Sequence, residues 1–299
     1  MKKIFLHVGY PKCASSYFQE FVFPKFNHIN YIGKGNSDFF NKFLTCNDSK
    51  NDVDFIRSMI PDNNLPTLIS IEALLGIASN GVAQRELFVN RLYKIFPKAE
   101  IIIFIRKQTD IIESIFSEWM VHGETGSYDV NTLFETRKKK YSDGRFSFEY
   151  FNYHSIFELY CSKFGRSNVN ILLFEDFLDN RRLFVKYLAG IIGVNEVVLV
   201  DNQKVRGKLS PASHFFARYI NRFRKGFFNP GGALDYDSTF TKWIIRCFLI
   251  VNKVYYFFIR NNKHRLMNAK NISFIYSYYE ASNRKLARNL KRDLKIIGY

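Results

Sequence analysis

Paired cysteines are missing from this chain. Cys13, Cys46, Cys161 and Cys247 stand far apart with no C-x-x-C pair among them, which argues against a zinc site or disulfide framework and fits a reducing compartment. A long apolar run is missing too. The best stretch, Trp243–Ile259, is broken by Arg246, Asn252 and Lys253, so no clean span of roughly 20 apolar residues exists. An amphipathic, partly buried helix is expected there, with peripheral membrane contact through 240–265 as the lesser reading. The opening MKKIFLHVGYPK is basic, but its apolar run stops at Val8 and meets Pro11 and Lys12. That is too short for a secretory signal, and a cytoplasmic protein is expected. No internal repeat, low-complexity linker, zinc-finger or RNP signature is found. Acid is scarce: 27 Asp and Glu stand against 44 Lys and Arg, a net charge of +17. Such a balance implies anionic company, and leaves nucleic acid, acidic lipid, anionic glycan and polyphosphate nucleotide open.

What is present reads as one globular α/β domain over residues 1–299. Hydrophobic residues make up 47% and charged residues 24%, with 32 Phe and 18 Tyr. The apolar runs Ile4–Val8, Thr67–Ile71, Ile101–Ile105 and Val169–Phe174 predict strands. IIIFI is the clearest, since a parallel strand covered on both faces needs such a continuous run. Helices are predicted over about Ser15–Phe23, Gln84–Ile95, Asp110–Val121, Tyr153–Phe164 and Leu183–Ile192. This alternation predicts a doubly wound parallel sheet with flanking helices, which binds ligands beyond the carboxyl ends of its strands. Residues 34–64 and 123–150 read as loop-rich insertions, the first with short helices as an alternative, and 205–299 as a helical C-terminal part on the same core.

The ends of the first three predicted strands carry the chemistry. After Val8 comes Gly9-Tyr10-Pro11-Lys12-Cys13-Ala14-Ser15-Ser16. A strand turning into a helix here aims backbone N–H groups at an anion, with the Lys12 charge and the Ser15 and Ser16 hydroxyls beside them. An ordinary turn with a serine N-cap is the bland reading. The order differs from GxxxxGKS, which sets a hydroxyl on Mg²⁺, so no metal is predicted. After IIIFI comes Arg106, able to clamp a phosphate, with Ser114 eight residues on. A salt-bridging Arg and an exposed helical Ser are the common alternatives.

Together these elements resemble the PAPS-dependent sulfotransferase family (PAPS, 3′-phosphoadenosine-5′-phosphosulfate). HVGYPKCASSYFQ and IRKQTDIIESIFSEW are most similar to its bacterial glycan-type members, and NILLFEDFLDN and the ending YEASNRKLARNLKRDLKIIGY are similar to later family segments. The resemblance implies the P-loop-like fold of that family. It implies that Pro11, Lys12, Cys13, Ala14, Ser15 and Ser16 hold the 5′-phosphosulfate, and that Arg106 and Ser114 hold the 3′-phosphate. Cys13 and Ala14 stand where Thr and Gly are frequent in the family. Its C-terminal nucleotide loop has no confident counterpart; Arg206-Gly207-Lys208 is the nearest basic stretch, with a surface turn as the other reading.

The resemblance also implies sulfuryl transfer to a hydroxyl, in which Lys12 stabilises the leaving oxygen and a general base takes the proton. Glu72, ending LISIE, is the first candidate, with Ser70 to orient it; His122 and His154 are rivals. A carbohydrate acceptor is expected, anionic or lipid-linked, with Arg137–Lys140 a candidate contact. The rival classes are a P-loop kinase or nucleotide hydrolase, which lacks the Gly-Lys-Ser order, and a basic nucleic-acid-binding protein.

Overall fold

A computed structural model describes residues 3–33, 35–76, 81–123, 129–135, 146–194, 210–226, 229–235, 238–258 and 265–299. The chain forms two compact units. The first comprises Met1–Lys107, Asp143–Val205 and Tyr279–Tyr299; the second comprises Gln108–Ser142 and Arg206–Tyr278.

In chain order the first unit contains β1 (Ile4–His7), α1 (Ser15–Tyr17), β2 (Asn30–Ile32), α2 (Ser37–Thr45), α3 (Lys50–Ser58), β3 (Thr67–Ser70), α4 (Gly81–Ile95) and β4 (Glu100–Ile105). The second unit follows with α5 (Gln108–Val121) and α6 (Thr132–Glu135). The chain then returns to the first unit for α7 (Tyr153–Phe164), β5 (Val169–Leu173), α8 (Phe174–Asp179) and α9 (Arg181–Ile192). The helices α10 (Pro211–Asn221) and α11 (Thr239–Phe258) belong to the second unit, α12 (Ala269–Leu290) runs from the second into the first, and α13 (Leu294–Ile297) ends the chain.

The five strands form one parallel sheet in the order β2-β3-β1-β4-β5. All four residues of β3 and the last five of β4 are buried. Because successive side chains point to opposite faces, both faces of the sheet are covered, as a parallel sheet requires. This is the doubly wound arrangement expected. From β1 the chain goes to β2 and β3 on one side, and from β4 it goes to β5 on the other. The direction of winding therefore reverses between β1 and β4, where an open sheet of this kind has its ligand crevice.

Much of the aromatic content is core. Phe18 packs within 5.6 Å, between ring centroids, of Phe23, Phe104, Phe177 and Phe184. Residues 37–58 form two helices, each N-capped by a side chain, Asn36 onto Phe39 and Ser49 onto Asp52. The C-terminal part divides: 206–278 joins 108–142, while 279–299 joins the sheet-bearing unit.

Candidate active site

The loop after β1 is bent in a way its residue types do not favour. Lys12 and Ala14 both sit in the left-handed region at φ 64°, which costs a non-glycine residue about 1–2 kcal/mol each. Left-handed residues alternating with their neighbours turn successive N–H groups toward one point, the concavity that receives anions. Ala14 is the N-cap of α1 and supplies no side-chain oxygen to the first turn. The helical path continues through a π turn at Phe18–Val22 and a 3-10 turn at Phe23–Lys25. Strain of this kind persists where the surroundings enforce it, and it gathers at ligand sites.

Arg106 leaves the carboxyl end of β4, next to β1. Its Nη1 donates to the Lys12 carbonyl at 2.9 Å, its guanidinium lies over the Phe174 ring at 4.7 Å, and its Nε is buried without a hydrogen-bond partner among the described residues. The backbone at Arg106 is pinned from two sides. Tyr153 donates its hydroxyl to the Arg106 carbonyl at 2.5 Å. The next N–H, of Lys107, donates to Glu175 Oε1 at 3.0 Å. Glu175 in turn accepts from the Tyr299 hydroxyl at 2.6 Å. Burial raises the Glu175 carboxyl, opposed by the Tyr299 and Lys107 hydrogen bonds.

The β1–β3 side holds a buried polar cluster. His7, fully buried on β1, contacts Ser70 Oγ through Nδ1 at 2.7 Å. The Gln19 amide donates to the Ser70 carbonyl at 3.0 Å and to its hydroxyl at 3.1 Å. Burial pushes the His7 pKa from 6.5 down to about 3, so the ring is neutral. Among the described residues, His7 Nε2 and Ser15 Oγ are both buried without hydrogen-bond partners. Gly9 lies between them: a Cβ there would stand 3.2 Å from Ser15 Oγ and 3.3 Å from His7 Nε2. A side chain here would require Ser15 or His7 to give way by a few tenths of an ångström. Buried polar atoms so placed are able to bond a ligand oxygen.

The other expected residues fall as follows. Pro11 and Lys12 are partly exposed, Ser16 is exposed, and Cys13 is fully buried. Burial raises the Cys13 thiol well above its usual range, Arg106 opposes that, and Glu175 and Glu72 add to it. Cys13 is therefore a protonated packing residue whose backbone alone serves the loop. Glu72 is half-buried and stands two residues beyond β3, at the same sheet edge. Ser70 bonds His7 and Gln19. His154 pairs with Glu158 at 3.5 Å on α7. His122 and Ser114 belong to the second unit, the first exposed and the second buried in the second turn of α5. Arg206, Gly207, Lys208 and the 137–140 run lie outside the described residues. Among the described residues no group of three His, Cys, Asp or Glu could hold a metal ion.

Sequence reasoning passed over His7, Tyr153 and Glu175. The late acidic turn NILLFEDFLDN did point toward Glu175; nothing marked His7 or Tyr153 apart from core residues.

No family profile matches the chain, and no curated protein matches it. It is similar to solved structures of three sulfotransferases. For the sulfotransferase from Alicyclobacillus acidocaldarius the identity is 16%, covering 79% of this chain and 97% of that one at a TM-score of 0.48. For mouse sulfotransferase SULT7A1 complexed with PAP the identity is 11%, with 94% and 90% covered and a TM-score of 0.39. For the sulfotransferase domain from the curacin biosynthetic pathway the identity is 9%, with 98% and 99% covered and a TM-score of 0.39.

Proposed function

We propose that this chain is a PAPS-dependent sulfotransferase acting on a carbohydrate hydroxyl. The observation that carries the reading is the hydrogen bond between Arg106 and the Lys12 carbonyl. Two stretches ninety-four positions apart, the ones that resemble the family's two phosphate motifs, meet at the point where the sheet winding reverses. The residues suit a doubly phosphorylated nucleotide. Ser15 Oγ and the N–H groups around Lys12 and Ala14 form an anion seat, and the unpartnered Arg106 Nε is a second donor for a phosphate.

PAPS, when bound, supplies an activated sulfuryl group whose bridging S–O bond breaks as the acceptor oxygen forms its own bond to sulfur. In this reading Lys12 neutralises the negative charge left on the bridging oxygen. Glu72 takes the proton of the acceptor hydroxyl, from the end of β3 beside the loop. Arg106, backed by Tyr153 and Glu175, fixes the far phosphate. Such chemistry needs positioning and charge stabilisation more than covalent participation. The chain's overall supply of Tyr, Phe and Trp, which can stack on sugar faces, supports a carbohydrate acceptor.

The test is transfer of labelled sulfate from PAPS to a panel of oligosaccharides, phenols and lipid alcohols. Label on a sugar hydroxyl is expected. The Glu72→Gln protein should lose turnover by about 100-fold or more while its nucleotide affinity stays within about twofold, as expected of a general base. Full turnover in Glu72→Gln would return the role to another group, and label on phenols alone would refute the carbohydrate reading.

A further inference from the structure

The helix α10 is inverted. A surface helix normally turns its apolar stripe inward and its polar face to water. Here the inward side carries Ser213, His214, Asn221 and, just beyond the helix, Arg224, all buried. Ser213 accepts from the Ser210 hydroxyl at 2.9 Å, and α5 meets the other three: His214 Nε2 lies 3.1 Å from Ser117 Oγ, Asn221 donates to the Met120 carbonyl at 2.9 Å, and Arg224 donates to the Val121 carbonyl at 3.0 Å. The outward side carries Phe215, Phe216, Tyr219 and Phe223, exposed by 71%, 50%, 60% and 49%.

The neighbouring α11 also exposes an apolar face. Phe240, Trp243, Ile250 and Val254 are exposed by 54%, 61%, 59% and 50%. At about 100° per residue these four positions fall within roughly 80° of one another on the helix. Phe240 and Trp243 stack at 6.4 Å. The apolar faces are edged by exposed cations, Arg222 and Lys225 after α10 and Arg246 on α11. Between Arg206 and Tyr278 the sequence holds thirteen Lys and Arg and two Asp. No helix among the described residues is long and apolar enough to cross a membrane.

We infer that the outward faces of α10 and α11 dock on the surface of a bilayer containing acidic phospholipids, with the aromatic side chains at headgroup depth and Arg222, Lys225 and Arg246 against the headgroup charge. An aromatic and aliphatic face with a cationic border is what an interfacial helix presents to an acidic membrane. A second copy of the chain would bring the same uncompensated positive charge against itself, which opposes a self-interface. Single-stranded nucleic acid would use the aromatic rings and the cations, yet Ile250 and Val254 continue the stripe and have no π face on which a base could stack. The inference does not depend on the sulfotransferase reading, since it rests on a different unit and a different surface.

The test is co-sedimentation of the full chain with phosphatidylcholine vesicles, with and without phosphatidylglycerol. Binding at least about tenfold tighter to the acidic vesicles is expected, weakening with salt. The pairs Phe215→Ser with Trp243→Ser, and Arg222→Glu with Arg246→Glu, should each lower that binding by about tenfold or more, with unfolding temperatures close to that of the parent. Depth quenching guards against a misfolded variant. In a Trp119→Phe background the single remaining Trp243 should be quenched by brominated phosphatidylglycerol vesicles. No vesicle binding, equal binding to neutral vesicles, or an unquenched Trp243 would overturn the inference. So would single-stranded RNA binding or dimerisation lost in the same variants.

Discussion

Arg106 commits one guanidinium nitrogen to the Lys12 carbonyl and holds its Nε buried beside it. It can do this because Tyr153 and Glu175 clamp the backbone on either side. A residue so held loses little further freedom when a phosphate arrives, which is where its selectivity would come from. His7 poses a different problem, a titratable ring at the base of the loop, hydrogen-bonded to Ser70 and packed against Phe23 and Phe104. Because its folded pKa of about 3 lies below the usual 6.5, the unfolded chain binds a proton that the folded one refuses between those values. Stability contributed by the neutral ring is therefore complete above about pH 6.5 and declines as pH falls toward 3. The slope is about 1.4 kcal/mol per pH unit. His7→Asn keeps an amide opposite Ser70 and carries no titratable group. Denaturant titrations between pH 5 and about 6.5 should show a flatter pH dependence for it than for the parent; parallel curves would mean that His7 is protonated in the fold.

At the scale of the elements, the loop Gly9–Ser16 stores strain in two residues that are not glycine. Ala14→Val would place a β-branched side chain at φ 64°, where such residues are outliers. It should destabilise the protein by about 1–2 kcal/mol and weaken nucleotide binding, while Ala14→Gly should leave both unchanged or improved. Urea unfolding and nucleotide titration measure the two effects, and an Ala14→Val protein as stable as the parent would refute the strained loop. This geometry was only half legible beforehand. PKCASS after an apolar run located the loop, because a strand-turn-helix transition has a sequence pattern. The left-handed turns were hidden, because Lys and Ala do not advertise them. The strand Ile101–Ile105 was plain from five apolar residues in a row, and β2 was not, being three residues that begin with Asn30. His7 escaped notice because a lone histidine in an apolar strand looks like packing. The inversion of α10 was invisible to periodicity, which shows that a helix has an apolar side without telling where that side faces.

At the scale of the whole molecule, the charge of +17 is spread unevenly. The sheet-bearing unit holds the Lys12–Arg106 juncture, and the second unit holds the exposed aromatic faces with few acids around them. A strongly positive molecule should draw an anionic nucleotide by long-range attraction. Its association rate should fall by roughly tenfold between low and physiological salt, with a smaller change in dissociation. Stopped-flow binding with a fluorescent adenosine bisphosphate reads both constants, and a salt-independent association rate would exclude steering.

Calorimetric titration with adenosine 3′,5′-bisphosphate, beside ATP, tests the central claim most directly, on the parent protein and on Arg106→Ala. The account predicts saturable binding of the bisphosphate well above that of ATP. It also predicts a loss of at least about 1.5 kcal/mol in Arg106→Ala, the worth of a charge-assisted hydrogen bond. Equal affinity for ATP, or an Arg106→Ala protein that binds as the parent does, would contradict it.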